Sequence, residues 1–388
     1  MQANSCVLLQ LRVVAASETR SPFAIKGGGH IGNAGFSSTL GVQISMSRFD
    51  KVDYDKASST VKIGAGLFWD DVYARLMPDG VKVVGGRVPG VGVGGLLLGG
   101  GYSYFSDQYG LSVDSIVSHD LVLPNGTAIV VTEGTDADLF FALKVASIVS
   151  PINTSSAVNQ AVVNWNTHNK DLKANMPTVT TSLLYDAPMQ PLGIFDEFFN
   201  VPGASVKASG VVSLPEAMEV LHGTLGALNP PRTARNTLSA SRYTMGILDE
   251  VSAQLQKTVS EARANNRSFV LITVTPEPFL QPNVRSTDSA YPHPPGRFVS
   301  PSILEAHYAD PTDDDYFVNA IYAARQAIQA RAIEEGQSFA DDILYNNYAP
   351  ADTPLELLYG NNLDRLREIR TRIDPENVME LAGGFKIK

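Results

Sequence analysis

The chain has 388 residues, 44% of them hydrophobic, and a formal net charge of −10. This length allows one large domain or two with buried cores, and the acidic charge argues against nucleic acid and anionic membranes as partners. The single cysteine, Cys6, excludes an internal disulfide framework and a cysteine-based zinc site.

Residues 1–17 resemble a leader peptide only superficially. No charged region precedes their apolar part, and Arg12 interrupts it, so we predict no signal peptide and leave the localisation open. No apolar run of the sequence reaches the roughly eighteen residues that a membrane-spanning helix needs. We therefore expect no membrane partner.

Short strands and turns dominate residues 20–132, where β-branched runs alternate with Gly, Asn and Asp. Pro124–Gly126 predicts a hairpin turn between the last two of these strands. Apolar spacing predicts a helix over Trp69–Leu76, and acidic residues favour the start of another at Asp136. The predicted strands are Phe23–Ile25, Val42–Ser45, Val61–Ile63, Val81–Val84, Ser118–Leu123 and Ala128–Val131.

Residues 150–340 have a different character, because alanine-rich helical patterns alternate there with strand-like runs. Helices are predicted over Val251–Ala264 and Tyr316–Gly336, and strands over Val211–Ser213 and Ser268–Val274. The proline-rich run Tyr291–Gly296 predicts a loop. This pattern indicates a second α+β region on another plan, followed by a last helix over residues 361–373.

Two glycine-rich segments are the most informative feature of the sequence. Lys26, three glycines and His30 follow the predicted strand Phe23–Ile25, and nine glycines fall within the seventeen residues from Gly85 to Gly101. Glycine lets the backbone take positive φ and approach a ligand closely, although it is entropically costly to order. Such density predicts a large or anionic ligand, and a phosphate-bearing cofactor is the first candidate.

Other phosphate and metal motifs fit less well. Gly90–Gly95 matches G-x-G-x-x-G, but a dinucleotide-binding fold needs a helix there, and Gly99–Gly101 would break it within a turn. No lysine follows the glycines, so a P-loop is excluded. The six histidines show no metal-ligand spacing, and we expect no metal.

Taken together, seven short motifs resemble the vanillyl-alcohol oxidase superfamily, whose FAD-binding domain is of the PCMH type. More narrowly, the sequence is similar to the berberine-bridge-enzyme-like FAD-linked oxidases of the fungal type. The resemblance covers nearly the whole chain, in the order that the family has. The matching motifs are Lys26–His30, Gly64–Gly66 with Trp69, Pro89–Gly95, Gly99–Tyr102, Tyr109–Asp114, Tyr345–Tyr348 and Gly383–Phe385.

The resemblance implies an α+β fold. Residues 1–144 would form the FAD-binding domain from two α+β subdomains, and 145–340 an α+β substrate domain with an antiparallel sheet. Residues 341–388 would return to the FAD-binding domain. The implied activity is a monomeric oxidase that takes a hydride from an alcohol, a sugar or a secondary metabolite and passes its electrons to dioxygen, giving hydrogen peroxide.

The resemblance also implies the cofactor, FAD, and the residues that hold it. The family bonds the histidine of this loop to the 8α-methyl group of the flavin, so His30 is the expected attachment site. Val88 stands where many members have a second, cysteinyl link, so a single bond is expected. The implied cofactor-binding residues are Lys26, Gly27, Gly28, Gly29, His30, Ile31, Asn33, Val88, Pro89, Gly90, Val91, Gly92, Gly94, Gly95, Gly100, Tyr102, Gly110, Leu111 and Asp114.

For catalysis the resemblance points to the run Tyr345–Tyr348. Tyr348 is the expected base for the substrate hydroxyl, with Tyr345 and Asn347 lining the flavin face. A free tyrosine titrates near pH 10, so this role requires the site to lower that pKa by stabilising the phenolate. The alternative for Tyr348 is an aromatic residue packed in a core.

Two departures from the family pattern leave a second hypothesis open. Only a short piece precedes Phe23, and Lys144 runs directly into Val145–Ser150, where the family has a third glycine loop and a strand. Loss of that strand would expose backbone groups that must be paired again. The alternative is therefore a catalytically inactive chain of the same fold, a truncated isoform or a gene-model artefact, with impaired FAD binding.

Overall fold

The computed structural model describes residues 2–144, 159–168, 178–186, 191–200, 209–220, 232–280, 285–294, 297 and 299–388. The predicted departure after Lys144 lies outside these residues. None of the described helices has the length and apolar character needed to cross a membrane.

The structure alternates short helices with strands, and its longest elements lie in the second half. The strands are β1 (Phe23–Lys26), β2 (Val42–Ser45), β3 (Val52–Asp55), β4 (Thr60–Ile63), β5 (His119–Val122), β6 (Ala128–Val131), β7 (Asn159–His168), β8 (Thr178–Tyr185), β9 (Arg232–Ala240), β10 (Phe269–Pro276) and β11 (Ser300–Tyr308). The helices are α1 (Gln2–Thr19), α2 (Trp69–Leu76), α3 (Val93–Leu97), α4 (Ser106–Tyr109), α5 (Ala137–Leu143), α6 (Asp196–Phe199), α7 (described over 214–220), α8 (Met245–Ala264), α9 (Asp314–Glu334), α10 (Glu356–Tyr359) and α11 (Leu363–Ile373).

Three small sheets form the strand content of the first 132 residues. β1 and β2 pair in parallel, whereas β3 pairs with β4 and β5 with β6 in antiparallel hairpins. The predicted turn at Pro124–Gly126 is confirmed, since Gly126 takes a φ of 83° and its N–H donates to Leu123. The predicted helix over Trp69–Leu76 is confirmed at both ends.

One core of this region is built around Trp69, which is fully buried. A Cβ on Gly85 would lie 2.2 Å from the indole ring, and one on Gly86 would lie 2.5 Å from it. Contacts below 3 Å with a packed ring require movement, so two of the nine glycines in the Gly85–Gly101 segment are needed for packing. Ligand binding therefore does not account for all of that glycine density.

A five-stranded antiparallel sheet, in the order β8-β7-β10-β11-β9, dominates the second half. Long helices α8 and α9 cover one of its faces. Leu238, Ile272 and Leu304 of the sheet pack there with Val251 and Ile321 of the helices. The α+β architecture and the antiparallel sheet confirm the expected fold class.

The opposite face of this sheet is polar because its residues alternate with the apolar ones. Arg235 of β9 is the register partner of Glu305 of β11, and Thr233 is that of His307. Arg235 donates to Glu305 Oε1 from Nε at 2.9 Å and from Nη2 at 2.6 Å, and both side chains are largely buried. This face is therefore covered by other parts of the chain.

Three local predictions differ from the structure. Val81–Val84 is buried but irregular, not a strand. Val211–Ser213 is also not a strand, because Ser213 begins α7 through a reciprocal cap with Glu216. The first residues form α1, which the sequence patterns did not predict, and Val13 and Ala16 of α1 pack in one buried cluster with Phe23 of β1.

Candidate active site

The two glycine-rich loops touch each other at Gly28 and Gly92. A Cβ on Gly28 would lie 2.7 Å from Gly92 Cα, and a Cβ on Gly92 would lie 2.5 Å from Gly28 N. Both contacts are with backbone, which cannot swing aside as a flexible side chain does. These glycines are therefore required to bring the two loops together.

Alanine at Gly28 is expected to lower the free energy of unfolding by about 1–3 kcal/mol, the usual cost of forcing extra atoms into packed structure. Gly95→Ala is the matched control, since a Cβ there meets no described atom within 4 Å. Urea unfolding of the apoprotein measures both. If Gly28→Ala proved as stable as Gly95→Ala, the described contact between the loops would be wrong.

Unpartnered backbone amides gather where the loops meet. In the described part of the chain, the N–H groups from Gly27 to Gly32, and those of Gly92, Gly94 and Gly95, donate no hydrogen bond. Gly29 takes a φ of 74°. Successive free amides in such turns form concave sites for anions. The two loops thus fit the diphosphate of a dinucleotide cofactor.

A dinucleotide-binding fold of the Rossmann type is excluded, as predicted. Helix α3 begins at Val93 and ends at Leu97, and the chain leaves it through Gly99 and Gly100. A helix of five residues is too short for the long crossover of that fold. Among the described residues no group of three or more acidic, histidine or cysteine side chains could hold a metal ion.

His30 ends the first glycine run and lies close enough to Arg235 and Glu305, on the polar face of the large sheet, to interact with both electrostatically. Solvent reaches its imidazole. The surrounding protein nevertheless desolvates the ring and lowers its pKa below 6.5, and Arg235 lowers it further while Glu305 opposes both. The imidazole is therefore neutral at neutral pH, and this is the nucleophilic form.

Val88 stands half-buried between Arg87 and Pro89, and its hydrocarbon side chain cannot bond to a cofactor. Cys6, the one thiol of the chain, lies on α1. The site described here therefore has one candidate attachment residue, His30.

The run Tyr345–Tyr348 packs against the second glycine loop. Asn347 donates from Nδ2 to Leu96 O at 2.9 Å and to Tyr345 Oη at 2.8 Å. A Cβ on Gly99 would lie 2.3 Å from the Asn347 amide, so glycine makes room for this side chain. Tyr345 is almost fully buried, and its ring meets that of Tyr348 at 4.7 Å between centroids.

Tyr348 belongs to a buried network that sequence reasoning did not predict. Its hydroxyl donates to Glu277 Oε1 at 3.0 Å and accepts from Arg87 Nη2 at 3.1 Å. Arg87 Nη2 also donates to Glu277 Oε2 at 2.9 Å. Arg87 comes from the glycine-rich segment and Glu277 from the residue after β10, so three distant parts of the chain converge here.

The pKa of Tyr348 differs from the expectation. Burial and the Glu277 carboxylate raise it well above 10, against the opposing effect of Arg87. The predicted lowering of the Tyr348 pKa is therefore wrong for this structure. The carboxylate accepts a hydrogen bond from the phenol and so stabilises its neutral form. Tyr348 is a neutral phenol at neutral pH, and part of its surface stays open.

The remaining predicted cofactor residues occupy two places. Lys26, Ile31 and Asn33 flank His30, while Pro89, Gly90 and Val91 lie in the second loop. By contrast, five residues lie in the interior behind Tyr345 and Tyr291. They could affect cofactor binding only indirectly. These are Gly100, Tyr102, Gly110, Leu111 and Asp114.

Asp114 illustrates this difference best. Its carboxylate accepts from the backbone N–H of Leu111 and from Thr287, both at 2.8 Å, and contacts His293 Nε2 at 2.9 Å. With these partners Asp114 joins the buried segment around Leu111 to the loop that carries Tyr291. The carboxylate therefore makes its hydrogen bonds within the protein.

Comparison with known families agrees with this geometry. The model of the FAD binding domain family matches residues 8–132, and that of the berberine and berberine-like family matches residues 344–382. These two matches contain both glycine loops and the run Tyr345–Tyr348. These matches support a berberine-bridge-enzyme-like FAD-linked oxidase. The chain is an FAD-dependent oxidoreductase.

Relatives of this chain align with all or part of its length. It is 28% identical to the FAD-dependent monooxygenase drtC of Aspergillus calidoustus over 435 residues, covering 99% of this chain and 80% of the relative. It is 32% identical to an FAD-linked oxidoreductase of Arthroderma benhamiae over 266 residues, covering 57% and 53%. The first alignment exceeds the 388 residues of the chain by 47, so at least 47 aligned positions have no counterpart here.

Solved structures share the fold at low identity. The 6-hydroxy-D-nicotine oxidase of Arthrobacter nicotinovorans is 16% identical, with a TM-score of 0.71, and the match covers 97% of this chain and 89% of that one. The xylooligosaccharide oxidase of Myceliophthora thermophila, solved with xylobiose, is 22% identical, with a TM-score of 0.67 and the same coverage. These likenesses show the fold.

Proposed function

We propose that this FAD-dependent oxidoreductase oxidises an alcohol or a sugar and reduces dioxygen to hydrogen peroxide. The observation that carries the proposal is the Tyr348–Glu277–Arg87 network, in which Arg87 belongs to the second glycine-rich segment. When bound, FAD accepts a hydride from the substrate carbon and passes two electrons to dioxygen. The substrate loses one hydride and one proton, and hydrogen peroxide contains both.

The residues of the chain handle the proton. Because Tyr348 is neutral, it can accept the substrate hydroxyl proton only while giving up its own. In the proposed step the substrate O–H bond breaks and a new Tyr348 O–H bond forms, while the old phenol proton moves to Glu277 Oε1, 3.0 Å away. Arg87 holds Glu277 in place as the ionised acceptor. The proton returns by the same route as peroxide forms.

We also propose a single covalent bond between His30 and the 8α-methyl carbon of the flavin. Formation of this bond removes the imidazole N–H proton and one methyl hydrogen, and the two electrons pass through the flavin to dioxygen. The exposed neutral imidazole of His30 and the aliphatic side chain at Val88 support one bond and no second one.

The proposed division into residues 1–144, 145–340 and 341–388 assigns the last segment to the FAD-binding region. Two contacts support that assignment. Asn33 Nδ2 donates to Ala349 O at 2.9 Å, and Asn347 donates to Leu96 O at 2.9 Å. The last segment therefore carries the proposed base to both glycine loops.

A second candidate is a chain of the same fold with impaired FAD binding and no activity. The 47 or more aligned positions that this chain lacks relative to drtC favour it. The two candidates differ in an observable property, because only the first yields a yellow protein that retains its flavin in acid.

Oxidase activity is expected to yield one hydrogen peroxide per substrate oxidised and no oxygen atom from dioxygen in the product. Peroxide release is first screened over a panel of alcohols and oligosaccharides. The best substrate is then turned over under ¹⁸O₂, and product mass and peroxide are measured together. Product that carries one ¹⁸O would replace the oxidase assignment by a monooxygenase, and a flavin-loaded protein without turnover on any panel member would contradict the proposed substrate class.

A further inference from the structure

The loop that follows His30 is held by the C-terminal end of the chain. Asn33 bonds to Ala349 O. A Cβ on Gly383 would lie 2.1 Å from Gly35 O and 2.5 Å from Phe36 O, so the two backbones are in direct contact. The rings of Phe36 and Phe385 meet edge to face at 5.0 Å. Residues before His30 contact the other glycine loop instead.

Phe385 also contacts the segment that carries the proposed base. It packs on the buried cluster of Leu344, Ala349 and Leu358, which flanks Tyr345–Tyr348. One ring thus bridges the loop of the proposed attachment residue and the segment of the proposed base. We call residues Gly383–Phe385 the C-terminal clamp.

The clamp is itself anchored. Lys386 Nζ donates to Met379 O and Glu380 O at 3.1 Å, and Arg367 Nε of α11 donates to Lys388 O at 2.6 Å. Asp374 caps the turn that precedes it by accepting from the N–H groups of Val378 and Met379. The clamp is therefore tied to α11 and to the turn that follows it, in addition to its contacts with the loop after His30.

We propose that the C-terminal clamp positions His30 for its bond to the flavin. This inference rests on the proposed attachment at His30. The glycine loop before His30 is fixed by the contact of Gly28 with Gly92, and the loop after it is fixed by the clamp, so the imidazole is held from both sides. Phe385 and Gly383 act as positioning residues, since neither contacts the reacting atoms.

The test follows the rate at which apoprotein and FAD form acid-stable flavin. Phe385→Ala removes the ring contact and Gly383→Ala forces the two backbones apart. Each is expected to slow attachment by about tenfold or more, because a misplacement of about 1 Å can cost about 10²-fold. Phe385→Leu should restore part of the rate. Phe339→Ala is the matched control, since that ring is 59% exposed and contacts Arg297 at 5.3 Å.

Two further measurements separate positioning from loss of fold. Attachment is measured at a temperature at which circular dichroism shows each variant to be folded, and the affinity for reversibly bound FAD should stay near that of the Phe339→Ala protein. Hydrogen exchange of a peptide spanning residues 27–38 should be faster in Phe385→Ala. Wild-type rates of attachment in both clamp variants would overturn this inference alone, whereas an unaltered chain that forms no acid-stable flavin would overturn the attachment at His30 and this inference with it.

Discussion

Replacement of Tyr348 by phenylalanine is expected to reduce kcat by about 10²–10⁴-fold, the usual contribution of a positioned general base. The variant loses the phenol oxygen that bonds to both Glu277 and Arg87. Flavin content should be unchanged, because the lost hydroxyl bonds to the side chains of Glu277 and Arg87 and the ring that packs on the core remains. Steady-state turnover of the best substrate from the peroxide screen measures the effect.

Tyr345→Phe is the matched control for this experiment. Its hydroxyl accepts from Asn347 and lies in the interior, so its loss should change packing more than kcat. Glu277→Gln should reproduce most of the Tyr348→Phe effect, since an amide cannot take the phenol proton. Because the pKa of Tyr348 lies well above 10, tyrosine ionisation should produce no rise in kcat between about pH 7 and 10. Unchanged turnover in Tyr348→Phe would exclude the proposed base.

Loss of the imidazole in His30→Ala is expected to abolish acid-stable flavin entirely. The free amides from Gly27 to Gly32 are backbone groups and remain, so FAD should still bind reversibly. Absorbance near 450 nm would then leave the protein on acid precipitation and appear in the supernatant.

His307→Ala controls for the loss of a histidine on the polar face of the large sheet. His307 lies on β11, where its Nδ1 contacts Thr233 Oγ1 at 3.0 Å. That variant should keep acid-stable flavin. Flavin that stays bound to the precipitated His30→Ala protein would show that another residue forms the link, and the single-link assignment would be wrong.

The first part of the fold could be predicted because its signals are local. Turn residues and β-branched runs define β1, β2, β4 and the β5–β6 hairpin without reference to the rest of the chain. Val81–Val84 has the same local pattern but no strand partner among the described residues. Composition alone does not distinguish a buried irregular segment from a strand.

Strand β9 is the opposite case, because the structure has a strand there that the sequence patterns did not predict. Its inward side consists of Ala234, Leu238 and Ala240, and small alanines give a weak apolar signal. The alternation with Arg235 and Thr237 is visible only when the pairing with β11 is known. The polar face that reaches His30 therefore required the structure.

For the candidate site, the sequence predicted the two glycine loops but not which tertiary contacts require glycine. Gly28 and Gly92 face each other across 64 residues, and Gly99 faces Asn347, which only tertiary contacts reveal. Arg87 and Glu277 are 190 residues apart, and nothing local marks them as partners of Tyr348. Acidic and basic residues within or just after otherwise apolar segments were the one signal that could have identified them.

We propose that this chain carries one FAD, bonded through His30. The most direct measurement is the intact mass of the denatured, unaltered protein, followed by mapping of the modified peptide. We predict a mass higher by one FAD less two hydrogens, with the modification on the peptide that contains His30. The mass of the bare polypeptide would exclude a covalent FAD, and a flavin on any other peptide would exclude the bond to His30.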